Sequence, residues 1–163
     1  GGVGAAGYLY SAMSVGSLGV TLFSGWTRNV ERRGAVVVIA AACWGLAIIG
    51  LGYAPSLPVA FVCLVLAGGA DMVSGLFRMT IWNETIPSEL RGRMAGIEQL
   101  SYMTGPLLGN ARAGFMAERM GLGRSIRWGG LICAACVVAC VPILPAFWRY
   151  QRDVKVIGTE PAA

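Results

Sequence analysis

Five predominantly apolar runs, each 20 residues or longer, divide this sequence, with short charged loops between them. An α-helix of about 20 apolar residues crosses the roughly 30 Å hydrocarbon core of a bilayer. Only 13% of the residues are charged, which is too few for the exterior of a soluble domain. We therefore predict an all-α membrane protein whose five transmembrane helices precede a polar tail over 149–163 and cover residues 4–26, 34–53, 57–82, 94–116 and 128–148.

The chemistry of the side chains argues against an enzyme. The sequence has no histidine, so His-based hydrolytic triads and His-rich zinc sites are excluded. All five cysteines lie inside apolar runs, where a disulfide framework is not expected. Cys133, Cys136 and Cys140 share one helix face, but packing explains them better than metal binding, since no carboxylate or histidine lies nearby. We predict no catalytic activity, no cofactor and no metal site.

The basic residues predict how the chain sits in the membrane. A net charge of +5 would suggest nucleic-acid binding in a soluble protein, but in a membrane protein Lys and Arg accumulate in cytoplasmic loops. One side of the predicted bundle carries only Arg119, Arg124 and Arg127. The other side carries most of the basic residues, namely Arg28, Arg32, Arg33, Arg91, Arg93, Arg149, Arg152 and Lys155. We expect a multi-pass protein of a bacterial-type inner membrane, in contact with lipid and not nucleic acid, with its N-terminus outside and its C-terminal tail in the cytoplasm.

Asp71 is the most deeply placed charge of the third run. A helical rise of 1.5 Å per residue from Leu57 puts Asp71 roughly 21 Å into the bilayer and Arg78 roughly 32 Å, at the inner boundary. The two residues are seven positions apart and share one helix face. A carboxylate at such depth is expensive unless something uses it. We predict that Asp71 couples protons or contacts substrate; the alternative is a hydrogen bond to the backbone or to a hydroxyl such as that of Ser74.

The fourth run carries two further charges, Glu98 near its inner end and Arg112 toward the outside. Because Arg78 and Glu98 share a depth, we predict an inter-helix ion pair, which is either a structural link or part of a gate. Arg112 and the neighbouring Asn110 can contact an anionic substrate from the outer half. Alternatively, Arg112 extends to the outer headgroups.

Several motifs occur in an order that resembles a known family. A Gly-rich run ends in SGW before an Arg-rich loop, and the later segments read WGLAIIGLGYAPSL, AGGADMVSGLFRMTIW, PSELRGRMAG and GPLLGNARAGFMA. Across nearly the whole chain, this order resembles the C-terminal half of a major facilitator superfamily transporter. Within the superfamily, it is similar to the enterobactin-exporter-like branch of drug and siderophore exporters. ADMVS followed by P-x-E-L-R-G-R is the most specific part.

This resemblance implies a fold and a set of gating residues. The five runs would be the eighth to twelfth helices of a twelve-helix transporter, so the N-terminal half of the transporter would be a partner of this chain. The superfamily's signature loop falls on Gly25 to Arg33, where Asn29 and Val30 replace an expected Asp and basic residue. The resemblance assigns gating of the inner side to the charges of this loop and of PSELRGR, namely Arg32, Arg33, Glu89, Arg91 and Arg93; topology determinants are the alternative for Arg93.

The predicted function is that of a secondary transporter, here a fragment. It exports a small organic molecule, such as a siderophore or a drug, by proton-coupled alternating access. The chain opens on Gly-Gly without an initiator Met, so we expect it to begin inside a longer protein. The alternative is a non-transporting membrane scaffold or assembly subunit that oligomerises through its Gly-rich helices.

Overall fold

The computed structural model describes residues 3–143, 145–148 and 150. The described chain is helical, and this confirms the all-α prediction. The predicted tail over 149–163 lies outside the described residues except for Tyr150, and the side chain of Arg28 lies outside them as well. The helices are α1 (Val3–Leu22), α2 (Arg33–Gly52), α3 (Leu57–Thr85), α4 (Arg91–Met120), α5 (Leu122–Ile143) and α6 (Pro145–Trp148), with 3₁₀ turns at Ser24–Asn29 and Ser88–Leu90.

The helix boundaries follow local sequence signals. α3 begins at Leu57 with Pro58 in its first turn, where a missing backbone N–H costs nothing. α4 ends at Gly121, which has a φ of 86° and so takes a conformation that other residues avoid. The Gly121 N–H donates to the carbonyl of Ala117, and its own carbonyl accepts from the N–H of Ser125. A single glycine therefore turns α4 directly into α5.

Among the described residues, three helices are long and apolar enough to cross a membrane, namely α2, α3 and α5. Their most apolar stretches have mean hydropathies of 2.4, 2.0 and 1.9. α1 and α4 are not in this set, since α1 is rich in glycine, serine and tyrosine and α4 carries several charges. All five predicted runs are helices, while membrane crossing by α1 and α4 stays a prediction.

The five long helices form an open row in the order α1, α3, α2, α5, α4, each packing on its neighbours in that row. α1 and α3 run parallel, since Tyr8 stacks on Phe61 near their starts and Trp26 meets Phe77 toward their ends. α2 runs antiparallel to α3 and to α5. The ends of α1, α3 and α5 therefore lie with the starts of α2 and α4, and we call this end of the row the inner end.

Small residues set the spacing of the row. A Cβ atom added to Gly16 of α1 or to Gly68 of α3 would overlap the backbone of the other helix. The hydroxyl of Ser17 donates to the carbonyl of Gly68 across this crossing, with an O–O distance of 3.1 Å. On the other side of α2, a Cβ atom added to Gly130 would lie 2.8 Å from the carbonyl oxygen of Gly45. Without a Cβ atom, helix backbones approach closely and gain dispersion contacts that lipid does not supply.

Candidate functional site

The inner end holds the one ion pair found among the described residues, between Arg33 and Glu84. Arg33 is the first residue of α2 and Glu84 is the second-last residue of α3. The Arg33 side chain is only 7% exposed, whereas that of Glu84 is 36% exposed. Glu84 is therefore the accessible member of the pair, and the buried guanidinium depends on it for charge balance.

A small cavity with both polar and apolar walls lies beside this pair. Its volume is about 240 Å³, and it lies between the 3₁₀ turn after α1 and the inner part of α3. The ring centroids of Trp26 and Phe77 are 5.9 Å apart, and Phe77 is one of the lining residues. The described residues that line it are Ser24, Thr27, Arg33, Leu76, Phe77 and Thr80. Hydroxyl groups and the arginine make this inner part of the row more polar than its middle.

Arg91 fixes the end of α3. Its Nη2 atom donates to the carbonyl of Asn83 at 3.0 Å and its Nε atom to the carbonyl of Ile86 at 3.4 Å. The last carbonyls of a helix lack intrahelical partners and carry partial negative charge, so a guanidinium there is favourable. Arg91 thus ties the start of α4 to the end of α3, beside the residue that pairs with Arg33.

Sequence reasoning selected Arg33 but missed Glu84. The available signal was topological: the loops before α2 and after α3 lie on the same side, so an acid in one can meet a base in the other. The structure does not bring the predicted partners Arg78 and Glu98 together. α3 and α4 have no close backbone approach along their described lengths, and Arg78 is exposed while Glu98 is half-buried. Arg32, Glu89 and Arg93 are exposed and form no ion pair with any described residue.

Asp71 lies on an exposed surface of α3. It forms no ion pair or side-chain hydrogen bond within the part of the chain that the structure describes, while Ser74, one turn later, is buried. A carboxylate at the centre of a membrane helix costs about 3 kcal/mol when it faces lipid. This surface of α3 therefore requires a cover of protein or water if α3 crosses a bilayer.

Arg112 and Asn110 differ in exposure because α4 packs on α5. Arg112 is half-buried, with its Nη2 atom at the position that a side chain on Gly129 would fill, and its Nη1 atom donates to the Met116 sulfur at 3.4 Å. Asn110 is exposed. Of the two predicted substrate-contacting residues, only Asn110 is freely accessible, and glycine at 129 is what makes room for Arg112.

A row of long apolar helices with a charged inner end defines a multi-pass α-helical membrane protein. The chain belongs to the Major Facilitator Superfamily, whose family model matches residues 1–162. The resemblance read from the motifs is thereby confirmed at the level of the family.

Curated relatives are similar to part of the chain. The enterobactin exporter EntS of Salmonella typhi and that of Salmonella choleraesuis strain SC-B67 are each 27% identical over 114 residues, which is 70% of this chain. The multidrug efflux pump Tap of Mycolicibacterium fortuitum is 30% identical over 118 residues, which is 71% of this chain. In each case, the matched region is 28% of the relative's own length. No solved structure matches significantly.

Proposed function

We propose that this chain is part of a secondary transporter that exports a small organic molecule across a bacterial-type inner membrane. Membership of the Major Facilitator Superfamily supports transport, and the similarity to an enterobactin exporter and to a multidrug efflux pump supports export. A siderophore and a lipophilic drug are the two substrate classes to test. The proposed mechanism is alternating access coupled to protons.

The exposed Asp71 is the observation that carries this proposal. It lies within an apolar helix long enough to cross the bilayer, and it is exposed in the described chain. Lipid is an unfavourable environment for a carboxylate, whereas a water-filled path or another protein segment is not. We assign this surface to the substrate path, which the N-terminal half of the transporter closes from the opposite side. Asn110 and the more enclosed Arg112 are secondary candidates for substrate contact.

The inner-end charges form the proposed gate. Arg33 and Glu84 link α2 to α3, and Arg91 links α3 to α4, so three helices meet through these residues. Arg32, Glu89 and Arg93 are exposed next to them and available for charge pairs with the other half of the transporter. The pairing of Arg78 with Glu98 is proposed only for a state in which α3 and α4 approach each other. In this arrangement the inner end is cytoplasmic and the N-terminus of the chain is outside.

Replacing Asp71 with Asn in the full-length protein tests proton coupling. We expect transport driven by a pH gradient to fall at least about tenfold in proteoliposomes, while exchange of substrate without a gradient continues, since an amide cannot release a proton. Glu118→Gln, in the exposed last turn of α4, is the matched control and should leave both activities unchanged. An unaltered pH dependence in Asp71→Asn would remove this residue from the mechanism. A siderophore and a lipophilic dye, tested in competition, would separate the substrate classes.

A membrane scaffold is the second candidate, and the open glycines of α1 favour it. Side chains added at Gly4, Gly7 and Gly19 would meet nothing within 4 Å, so these positions can accept a helix of another molecule. A scaffold would oligomerise without moving substrate. The transporter proposal expects no transport by the isolated 163-residue chain. Reconstituted efflux by that chain alone would contradict the need for a second half.

A further inference from the structure

An apolar cavity of about 320 Å³ lies between α2, α5 and α6 at the inner end. Its wall consists of the first turns of α2, including Val37 and Ala41, and of the last turns of α5, including Cys136 and Val137. Phe147 and Trp148 of α6 complete it. None of the lining side chains that the structure describes is charged. The substrate path proposed above does not include this cavity, and of the proposed gate residues Arg32 lies at the same end.

The cavity follows from how α2 and α5 cross. Their backbones touch near Gly45 and Gly130, and again near Gly52, where an added Cβ atom would lie 3.2 Å from the carbonyl oxygen of Gly123. Toward the inner end the facing side chains are mostly valines and cysteines, and the cavity lies between them. α6 closes the gap at the inner end, because Phe147 packs closely on Gly34 in the first turn of α2. The result is a half-open apolar groove between two helices, with Cys136 and Cys140 exposed along it, and we call this groove the slot.

Water is a poor occupant of this slot. A buried water needs two to four polar partners, and the walls offer methyl groups, aromatic rings and thiols. Along α5 the lining extends from Cys133 to Val141, a rise of roughly 12 Å. One leaflet of the hydrocarbon core is roughly 15 Å deep. The slot therefore has the depth and the chemistry to hold one hydrocarbon chain.

The rim of the slot adds charge and an interfacial aromatic group. Arg32 precedes the first turn of α2, is exposed, and has no ion-pair partner among the described residues. The neighbouring Arg33 is neutralised by Glu84. Trp148 is half-buried at the same end and suits the level of lipid headgroups. Arg32 lies two residues before Gly34, on which α6 packs, so an exposed arginine and the slot lie at the same end of the row. This combination matches an anionic headgroup with its acyl chain.

We propose that this slot binds one acyl chain of an anionic phospholipid from the inner leaflet, with the headgroup phosphate at Arg32. The bound chain fills the space between the inner ends of α2 and α5 and holds α6 against both. Binding uses the proposed membrane orientation but does not require transport. A transporter that is inactive for any other reason retains the lipid site.

Photolabelling of the full-length protein in lipid nanodiscs tests the site. The probe is phosphatidylglycerol with a photoreactive diazirine on its acyl chain, and the labelled peptides are mapped by mass spectrometry. We expect Val137→Trp, which fills the slot, to lower labelling of α5 and α6 about tenfold or more, since each excluded methylene removes binding energy. Val138→Trp is the matched control, because Val138 is 67% exposed and does not line the slot. Its labelling should equal that of the unmodified protein.

Further measurements separate the alternatives. Arg32→Gln should lower the preference for phosphatidylglycerol over phosphatidylcholine about fivefold and leave total acyl-chain labelling intact. If the Val137→Trp variant does not fold, Ala41→Leu is a second variant that fills the slot with a smaller added side chain. Equal labelling in the Val137 and Val138 variants would overturn the proposal. It would also be overturned if thiol cross-linkers joined Cys136 to a protein segment outside this chain, because a helix would then occupy the slot.

Discussion

α2 and α4 lie in the same row of helices but differ in how much of their surface the chain buries. α2 packs on α3 along one side and on α5 along the other, and it buries six residues, among them Arg33 and Gly45. α4 is ten residues longer, at 30 against 20, and buries none. Among the long helices it packs on α5, through a hydrogen bond from Ser125 to Ala113 and through the contact of Arg112 with Gly129, while Arg91 at its start bonds to the end of α3.

The difference shows which packing contacts the chain makes by itself and which helix surface it leaves exposed. The packing of α2 is determined within the chain, since glycines and a charge pair connect it to its neighbours. The exposed surface of α4 includes Ile97, Leu100, Leu107 and Leu108, which are 59–68% exposed. In the proposed transporter, this surface meets lipid and the other half of the molecule. α2 is therefore a structural centre of this chain, whereas the position of α4 depends on partners.

The largest expected effect comes from a side chain placed between α2 and α5. Gly130→Leu would put atoms within 2.9 Å of the α2 backbone, so the two helices must separate. We expect the free energy of unfolding in detergent to fall by about 3 kcal/mol or more, because overpacking is joined by the loss of interhelical contacts. Gly114→Leu on α4, where nothing lies within 4 Å, is the control and should cost far less. If SDS titrations gave the same loss of unfolding free energy for both variants, α2 and α4 would not differ in how closely they pack.

The second effect concerns the charges at the starts of α2 and α4. Arg33→Met leaves Glu84 without its partner, and we expect a loss of about 2 kcal/mol, below the cost of a fully buried pair because Glu84 is partly exposed. Arg93→Met, in the exposed first turn of α4, should change stability by less than about 0.5 kcal/mol. In a double-mutant cycle, Arg33→Met should cost less when Glu84 is already Gln. Additive losses would mean that the pair contributes no coupling.

A third, smaller effect tests the contact that holds α4. Ser125→Ala removes the hydrogen bond from its hydroxyl to the carbonyl of Ala113, which has an O–O distance of 2.8 Å. We expect a loss of about 1 kcal/mol, and faster amide hydrogen exchange near Ala113 and Met116. Exchange in α2 should stay unchanged, since α2 does not contact this bond. Faster exchange in both helices would show that α4 and α2 unfold together.

The smallest effect in the chain alone should come from Leu107→Ala. Leu107 is 68% exposed, so its truncation should change stability by less than about 0.5 kcal/mol. In the full-length protein the same substitution should cost more than about 1 kcal/mol if another helix covers this surface. Equal small values in both proteins would place Leu107 against lipid.

Sequence reasoning predicted the helices better than the contacts between them. Runs of 20 or more apolar residues located all five long helices, and Pro58 and Gly121 mark a start and an end through local chemistry. The site was predicted less well, because periodicity gives the depth of a residue but not its neighbouring helix. Arg78 and Glu98 share a depth, yet the row places α2 and α5 between most of α3 and α4. Arg33 was selected through family motifs, while its partner Glu84 required knowledge of which helix ends meet.

The order of the row has a consequence for biosynthesis. α3 lies between α1 and α2, although the ribosome makes it after both, and α1 and α2 have no close backbone approach along their described lengths. Within the described chain, α1 and α2 therefore lack their shared neighbour until α3 has been translated. In the same way, α4 gains its neighbour in the row only when α5 has been made. A substitution that unfolds α3 would thus remove the packing of α1 and of one side of α2 together.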